Sequence, residues 1–151
     1  MENLRKTGVI LVAEDDDDQY ELTSSALSDF RTENRLRRVT DGEQLMDYLF
    51  NRGEYANLLL YPRPNVILLD LNMPKKDGRQ ALREIKSHAR LRRIPVTVLT
   101  VSRDDQDIAL MYDLGANSYI TKPLSYERLV ESLTLQMQYW FDVAKLPKIV
   151  W

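Results

Sequence analysis

The feature that most constrains the fold is a set of short, continuously apolar runs separated by longer segments with a helical pattern. The runs are rich in Val, Ile and Leu and are bounded by polar residues or proline. Strands that are apolar at every position are typical of a parallel sheet, because helices cover both of its faces. The four runs are Val9–Ala13, Val66–Leu69, Val96–Leu99 and Tyr119–Ile120, and a weaker, more polar candidate that suits an edge strand is Leu36–Val39.

The segments between these runs have apolar residues at the three- and four-residue spacing of an α-helix. The last segment has the clearest pattern, with Ser125 as its predicted N-cap, and Gly115 is the predicted stop of the preceding helix. Strand and helix alternate along the whole chain, which predicts a parallel sheet with right-handed crossovers and one long connection, Gly53–Pro64. The residues that share predicted helix faces are Tyr20, Thr23, Leu27 and Phe30; Leu45, Met46 and Leu49; Leu82 and Ile85; Ile108 and Met111; and Leu129, Val130, Leu133, Met137 and Trp140.

Composition narrows the classes of function. The 151 residues suit one domain with a normal core, and the net charge of −2 gives no bias toward nucleic acid or a membrane surface. The chain has no cysteine and a single histidine, His88, which excludes disulfides and multi-histidine metal sites. The first apolar run is too short for a signal-peptide core or a membrane span, so we expect a cytoplasmic protein.

Polar side chains follow the predicted central strands. Glu14 and Asp15 come after the first run, Asp70 after the third strand, Thr100 after the fourth and Lys122 after the fifth. In a doubly wound sheet, ligands bind beyond the carboxyl ends of the strands, so we expect these side chains to face one crevice. Carboxylates packed closely repel one another, and a divalent cation removes that repulsion. All-oxygen ligands of this kind suit Mg²⁺.

One carboxylate in such a site can attack phosphorus and form an aspartyl phosphate. A lysine point charge and a bound cation would neutralise the phosphoryl oxygens from opposite sides, and Lys122 is placed for the first role. The Thr100 hydroxyl can donate to a phosphoryl oxygen. The residues therefore predict phosphoryl capture on one of these carboxylates, without a histidine or an arginine.

Four segments carry a family resemblance. ILVAEDD (Ile10–Asp16), VILLDLNMPKKDG (Val66–Gly78), IPVTVLT (Ile94–Thr100) and LGANSYITKPL (Leu114–Leu124) resemble the receiver domain of two-component response regulators. The resemblance covers roughly residues 7–140, and four motifs in the right order and spacing are highly specific. Finer detail such as EYANLLLYPRPNVILLDLNMPKKDGR is most similar to stand-alone receivers encoded beside bacterial phytochrome kinases.

The resemblance implies roles for the acidic residues. Asp70 matches the phosphorylated aspartate, and Asp15 matches the carboxylate that binds Mg²⁺ directly. Glu14 matches the acidic neighbour that commonly binds the ion through water. Asn72 matches the position whose backbone carbonyl binds the metal.

The resemblance also implies a switch. Thr100 matches the switch hydroxyl, Tyr119 the switch aromatic and Lys122 the phosphoryl-sensing lysine. Pro123 matches a proline whose preceding peptide bond is usually cis in the family. One departure is Val101, where the family often has a smaller residue, and we hypothesise that its branched side chain narrows access to Asp70. A second is Asp17, which stands where related receivers often have proline, so the entry to the first helix can differ.

The implied fold is flavodoxin-like, a five-stranded parallel sheet of order 2-1-3-4-5 with five helices. The implied domain is a receiver over residues 7–144, with residues 145–151 as a tail too short for an output domain. The implied partner is a sensor histidine kinase, of the phytochrome type on the narrower resemblance, or a phosphotransfer protein. The chain would assist its own phosphorylation and dephosphorylation but turn over no external substrate. Phosphorylation would reshape the face of the fourth helix and fifth strand and so signal through protein contacts.

The C-terminal segment predicts a further surface. Tyr139, Trp140 and Phe141 are consecutive, so they cannot all face one side of a helix, and Leu146, Ile149, Val150 and Trp151 add apolar area. We expect a homodimer through this surface, and the alternative is a tail that folds back on its own core.

Three other functions are alternatives to phosphoryl capture by a receiver. A Mg²⁺-dependent phosphatase with an aspartate nucleophile usually needs a second acid two residues later, where this chain has Asn72. A flavodoxin-type cofactor binder needs a Ser-, Thr- and Gly-rich loop after the first strand, where EDDDDQ would repel phosphate. A degenerate receiver that acts as a scaffold is disfavoured by the intact acidic set.

We interpret two basic clusters as solvated faces and expect no nucleic-acid partner; they are Arg35, Arg37 and Arg38, and Arg90, Arg92 and Arg93.

Overall fold

The structure is a computed structural model that describes residues 8–28 and 35–148. Within that part of the chain, five parallel strands form one sheet in the order β2-β1-β3-β4-β5, which confirms the predicted order. The strands are β1 (Val9–Ala13), β2 (Arg35–Val39), β3 (Val66–Leu69), β4 (Val96–Thr100) and β5 (Ser118–Thr121).

Helices connect the strands and cover both faces of the sheet. They are α1 (Asp17–Ser28), α2 (Gly42–Leu49), α3 (Gly78–Ser87), α4 (Asp105–Asp113) and α5 (Tyr126–Gln138), which continues into a π-helical turn, Tyr139–Val143. Single 3-10 turns occur at Gly53–Tyr55 and Leu91–Arg93. The predicted cap Ser125 accepts a hydrogen bond from the backbone N–H of Arg128. Phe30, which the sequence pattern assigns to the first helical face, lies outside the described residues.

The sheet divides the core into two layers, and this explains why the strands are apolar at every position. Along β1, Leu11 and Ala13 pack with α2, α3 and α4, whereas Ile10 and Val12 pack with α1 and α5. Successive residues of a strand point to opposite faces, so both faces need apolar side chains. The edge strand β5 differs, because all of its residues are only half-buried.

Two glycines allow close approaches or turns that a side chain would prevent. A Cβ on Gly78 would collide with the backbone oxygen of Asp70, so glycine lets α3 begin directly against the end of β3. Gly115 has a φ of 106°, a left-handed conformation that ends α4 as predicted. Gly78 therefore fixes the connection at the carboxyl end of β3, whereas Gly115 fixes the connection that leads into the amino end of β5.

The C-terminal aromatic residues separate into two environments. Trp140, Phe141 and Leu146 pack against the layer formed by α1 and α5. Tyr139 is half exposed, and the last three residues, which were also part of the predicted surface, lie outside the described chain. The side chains of Trp140, Phe141 and Leu146 therefore fold back on the domain. In the described residues, no helix combines the length and apolar character needed to cross a membrane.

Candidate functional site

Backbone hydrogen bonds hold the predicted site residues at the carboxyl edge of the sheet. The N–H of Glu14 donates to the Val39 carbonyl at 3.0 Å, and the N–H of Asp70 donates to the Ala13 carbonyl at 3.1 Å. At the same edge, between β4 and β5, the N–H of Lys122 donates to the Thr100 carbonyl at 2.7 Å. Each residue therefore continues the hydrogen-bonding ladder just beyond its strand.

Three carboxylates meet at this edge. Glu14, Asp15 and Asp70 each offer a carboxylate oxygen, and these oxygens all lie within 4.8 Å of one another. Glu14 and Asp70 are buried, whereas Asp15 is exposed. Like charges at this separation oppose one another's ionisation, and hard oxygen ligands match the preference of a divalent cation such as Mg²⁺ or Mn²⁺. The residues present thus fit a divalent metal site.

Lys122 supplies a buried positive charge beside the acids. Its ammonium forms an ion pair and hydrogen bond with Glu14, and its Nζ lies 3.6 Å from Asp70 Oδ2. Its side chain is only 8% exposed, so water screens these interactions weakly. One lysine therefore shares its charge between two carboxylates, which leaves the cluster with an excess of negative charge.

Burial raises the pKa of Glu14 to about 7. The hydrogen bond from Lys122 acts in the opposite direction, and the negative charge of Asp70 adds to the rise. The Glu14 carboxyl thus holds its proton far more tightly than a solvated carboxyl does. Any cation that stabilises the ionised form competes with that proton.

The two carboxylate oxygens of Asp70 have different neighbours. Its Oδ1 accepts a hydrogen bond from the backbone N–H of Asn72 at 3.3 Å, and its Oδ2 faces Lys122. Asn72 therefore lies at the site through its backbone, and the metal-binding role of its carbonyl stays a prediction.

Thr100 ends β4 and is fully buried. Its hydroxyl oxygen has no hydrogen-bond partner in the described structure. An unpaired buried hydroxyl destabilises a fold by about 1–3 kcal/mol. This hydroxyl is therefore available for a group that would bind beside Asp70.

Tyr119 lies in β5, packs against the α2, α3 and α4 layer, and donates its hydroxyl to the Ser102 carbonyl at 3.0 Å. Burial raises the pKa of Tyr119, so the phenol stays protonated as a donor. Ser102 is two residues beyond Thr100, which connects the two predicted switch residues through one short loop. Ser102 was missed from the sequence, because an isolated serine after a strand carries no distinctive pattern.

The expected cis peptide bond before Pro123 is wrong for this structure, which has no cis peptide bond in its described residues. A trans bond is intrinsically favoured before proline by about 0.5–1 kcal/mol. In the trans form the Lys122 backbone still reaches Thr100 and its ammonium still reaches Glu14. The site therefore assembles without the cis bond.

Arg38 is a second residue that sequence reasoning misplaced, because it does not belong to a solvated basic face. Its Nε donates to the Glu14 carbonyl at 3.0 Å, and its Nη1 lies 2.9 Å from Asp17. Its guanidinium also lies over the ring of Tyr20, 4.5 Å from the centroid. Arg38 thus holds the connection that carries the two N-terminal acids.

Val101 is 61% exposed, and its effect on access to Asp70 stays a hypothesis.

Comparison with known proteins places the chain in a family. Residues 10–134 match the response regulator receiver domain, and the chain belongs to that family of two-component signalling proteins. The acidic cluster, Lys122 and Thr100 lie within the matched range.

Individual relatives agree with this assignment. The chain is 40% identical to response regulator Rcp1 of Synechocystis sp. over 139 residues, which cover 92% of each chain. It is similar to the phosphorylated cyanobacterial phytochrome response regulator RcpA, with 42% identity, a TM-score of 0.87, and coverage of 94% of this chain and 99% of that chain. It is also similar to the Mn²⁺-bound form of Rcp1, with 39% identity, a TM-score of 0.84 and coverage of 93% and 99%.

Proposed function

We propose that this receiver accepts a phosphoryl group on Asp70 from a histidine kinase or phosphotransfer protein in a Mg²⁺-dependent reaction. The observation that carries the proposal is the convergence of three carboxylates and Lys122 at the carboxyl edge of the sheet, beside the unpaired hydroxyl of Thr100. The phosphorylated state of RcpA and the Mn²⁺-bound state of Rcp1 support the same chemistry here.

A carboxylate oxygen of Asp70 would attack the phosphorus atom of the donor, and the bond from phosphorus to the donor's histidine nitrogen would break. The electron pair of that bond leaves with the imidazole, and the phosphoryl group becomes an acyl phosphate. Asp15, Asp70, Glu14 through water and the Asn72 carbonyl would hold Mg²⁺, which when bound neutralises charge on the phosphoryl oxygens.

Lys122 and Thr100 would contact the new phosphoryl group. Lys122 lies 3.6 Å from Asp70 Oδ2 and needs little movement to pair with a phosphoryl oxygen. Thr100 would gain the partner that its hydroxyl lacks. Because these contacts form only in the phosphorylated protein, they shift the population toward a second arrangement of the switch residues. Tyr119 would move with Thr100, because its hydroxyl is hydrogen-bonded to Ser102, two residues beyond Thr100.

The proposed partners follow from this chemistry. The kinase is of the phytochrome type if the chain works as the phytochrome response regulator RcpA does. We propose a cytoplasmic location, because a histidine kinase takes its phosphoryl group from ATP. We propose that residues 7–144 act as the receiver, that residues 145–151 form a tail, and that signalling proceeds through protein contacts without turnover of an external substrate.

A homodimer through the C-terminal helix is supported by one exposed stripe. Leu135, Tyr139 and Val143 repeat every four residues and are 60%, 50% and 71% exposed. Apolar side chains at this spacing lie on one side of a helix and suit a two-fold interface. Light scattering of the wild type and Leu135→Glu at tens of micromolar tests the dimer, which a monomeric wild type would contradict.

Intact-mass measurement tests the phosphoacceptor. The wild type with Mg²⁺ and a small acyl phosphate should gain the mass of one phosphoryl group, and it should gain none after chelation of Mg²⁺. Asp70→Asn should stay unmodified, while Asp105→Asn, which changes an exposed aspartate of α4, should behave as the wild type does. Modification of Asp70→Asn would refute the assignment.

A further inference from the structure

A chain of polar contacts next to Thr100 joins α3, α4 and β5 to the loop that follows β4. Arg79, in the first turn of α3, donates from Nε at 3.1 Å and from Nη2 at 2.8 Å to Oδ1 of Asp107 in α4. The second oxygen of Asp107 accepts from the Ser102 hydroxyl at 2.7 Å. The Ser102 carbonyl accepts from the Tyr119 hydroxyl of β5.

This arrangement differs from an ordinary surface ion pair. The side chains of Arg79 and Asp107 are 29% and 19% exposed, and both oxygens of Asp107 have donors. By contrast, Arg52 and Asp47 form a pair at 3.1 Å with side chains 58% and 49% exposed. The ion pair of Arg79 with Asp107 also connects two different helices, α3 and α4.

Asp107 is not needed to begin α4. The N-cap of that helix is Asp104, whose side chain accepts a hydrogen bond from the backbone N–H of Gln106. The Asp107 carboxylate is instead directed at Ser102 and Arg79. Its low pKa, which results first from the Arg79 hydrogen bond, keeps it ionised in that role.

Ser102 is therefore held from two directions. Its side chain is tied to α3 and α4 through Asp107, and its carbonyl is tied to β5 through Tyr119. Only Val101 separates it from Thr100. A displacement of the end of β4 that brings the Thr100 hydroxyl to a group on Asp70 and carries Ser102 with it would strain or break these contacts.

We propose that Arg79 and Asp107 are positioning residues that act through Ser102 to hold the connection between β4 and α4 in the arrangement with the unpaired Thr100 hydroxyl. The pair opposes the switch and thereby weakens the binding of a phosphoryl group at Asp70. This inference rests on the proposed phosphoacceptor function. Removing the restraint lowers the free energy needed to reach the bound arrangement, so affinity rises by linkage.

The test is the affinity of the full chain for beryllofluoride, a phosphoryl mimic, in saturating Mg²⁺, measured by calorimetry. Asp107→Asn and Arg79→Met should each bind beryllofluoride at least about fivefold more tightly than the wild type. The double variant should gain no more than either single variant, because both remove the same restraint. Asp47→Asn is the matched control and should leave the affinity unchanged.

Three further measurements separate positioning from a purely structural role. The affinity for Mg²⁺ alone should stay unchanged in Asp107→Asn, since the pair lies outside the acidic cluster. Ser102→Ala, which removes only one hydroxyl and keeps the ion pair, should also tighten beryllofluoride binding if a charge variant folds poorly. Arg79→Lys keeps the charge but loses the two-donor geometry, and should fall between the wild type and Arg79→Met.

Unchanged or weaker beryllofluoride binding in Asp107→Asn, Arg79→Met and Ser102→Ala, with a wild type that binds, would overturn this inference alone. A wild type that neither binds beryllofluoride nor accepts a phosphoryl group would overturn the proposed function as well.

Discussion

The two sides of the carboxyl edge of the sheet are built differently. On the acid side, at β1 and β3, the backbones of Glu14 and Asp70 continue the ladder of a central strand and Lys122 ties both carboxylates together. On the switch side, at β4 and β5, Thr100 has an unpaired buried hydroxyl and β5 is half-buried. The acid side is thus arranged in advance, whereas the switch side contains a group that lacks its partner.

This difference indicates that the acid side binds the ligands and the switch side responds to them. A fixed set of charges can bind a cation and an anionic group without rearranging, which keeps the energetic cost of binding low. A buried group without a partner gains most when a ligand supplies one, so that side of the edge responds to the ligand. Perturbing each side should therefore give a different type of effect.

The largest expected effect is on the acid side. Asp15→Asn removes an exposed carboxylate from the cluster and should weaken Mg²⁺ binding by about a hundredfold, equivalent to about 2.7 kcal/mol. Calorimetric titration of Mg²⁺ measures this change. Asp16→Asn is the neighbouring control, because the Asp16 side chain caps α1 by accepting from the Gln19 N–H at 2.9 Å. Equal losses in both variants would contradict a distinct metal role for Asp15.

Lys122→Met should destabilise the metal-free protein by about 2 kcal/mol at pH 8, because it leaves Glu14 and Asp70 buried together without a cation. Saturating Mg²⁺ should restore part of that loss. Urea unfolding with and without Mg²⁺ measures both values. Lys76→Met, which removes a more exposed ion pair with Glu84, should change stability by less than about 1 kcal/mol. A Lys122→Met protein as stable as the wild type would show that the acids do not need the lysine.

The pH dependence of stability follows from the raised pKa of Glu14, from 4.5 to about 7. Between these values the folded state binds more protons than the unfolded state, so the contribution of Glu14 is complete below pH 4.5 and is lost as pH rises to 7. The slope is at most about 1.4 kcal/mol per pH unit. Urea unfolding of metal-free wild type and Glu14→Gln from pH 5 to 8 measures it. A decline of the same size in Glu14→Gln would assign the effect to another group.

The smallest expected effect is on the switch side, and its sign is unusual. Thr100→Val replaces an unpaired buried hydroxyl with a methyl group and should stabilise the protein by about 1 kcal/mol. Thr97, also fully buried in β4, is the matched control, because its hydroxyl lies 2.9 Å from both Ser118 Oγ and Gln136 Oε1. Thr97→Val should destabilise by about 1 kcal/mol in the same urea experiment. Destabilisation by Thr100→Val would contradict the unpaired state of that hydroxyl.

The features that the sequence predicts well are those with a local pattern. The runs at β1 and β3 match the observed strands to the residue, because the two-layer core requires apolar side chains on both faces. The side chains that end those strands also meet as predicted, since parallel strands present their carboxyl ends at one edge. Thr100 belongs to β4 itself and not to the loop after it, because its backbone still pairs with Thr121 of β5.

The features that the sequence does not predict depend on side chains far apart in the chain. Arg79 and Asp107 are 28 positions apart, and neither residue is distinctive alone. Arg38 belongs to a basic cluster that resembles a solvated face, but tertiary structure directs it to the Glu14 carbonyl and Asp17. The peptide bond before Pro123 depends on the fit of the whole loop, which no local pattern encodes.

The most direct test of the division between a fixed acid side and a movable switch side is the crystal structure of the protein with Mg²⁺ and beryllofluoride. We predict that Glu14 and Asp70 keep their backbone positions, that the Thr100 hydroxyl gains a bond to the bound group, and that the contacts of Ser102 with Tyr119 and Asp107 rearrange. An unchanged connection between β4 and α4, with the backbone shift confined to the ends of β1 and β3, would contradict the account.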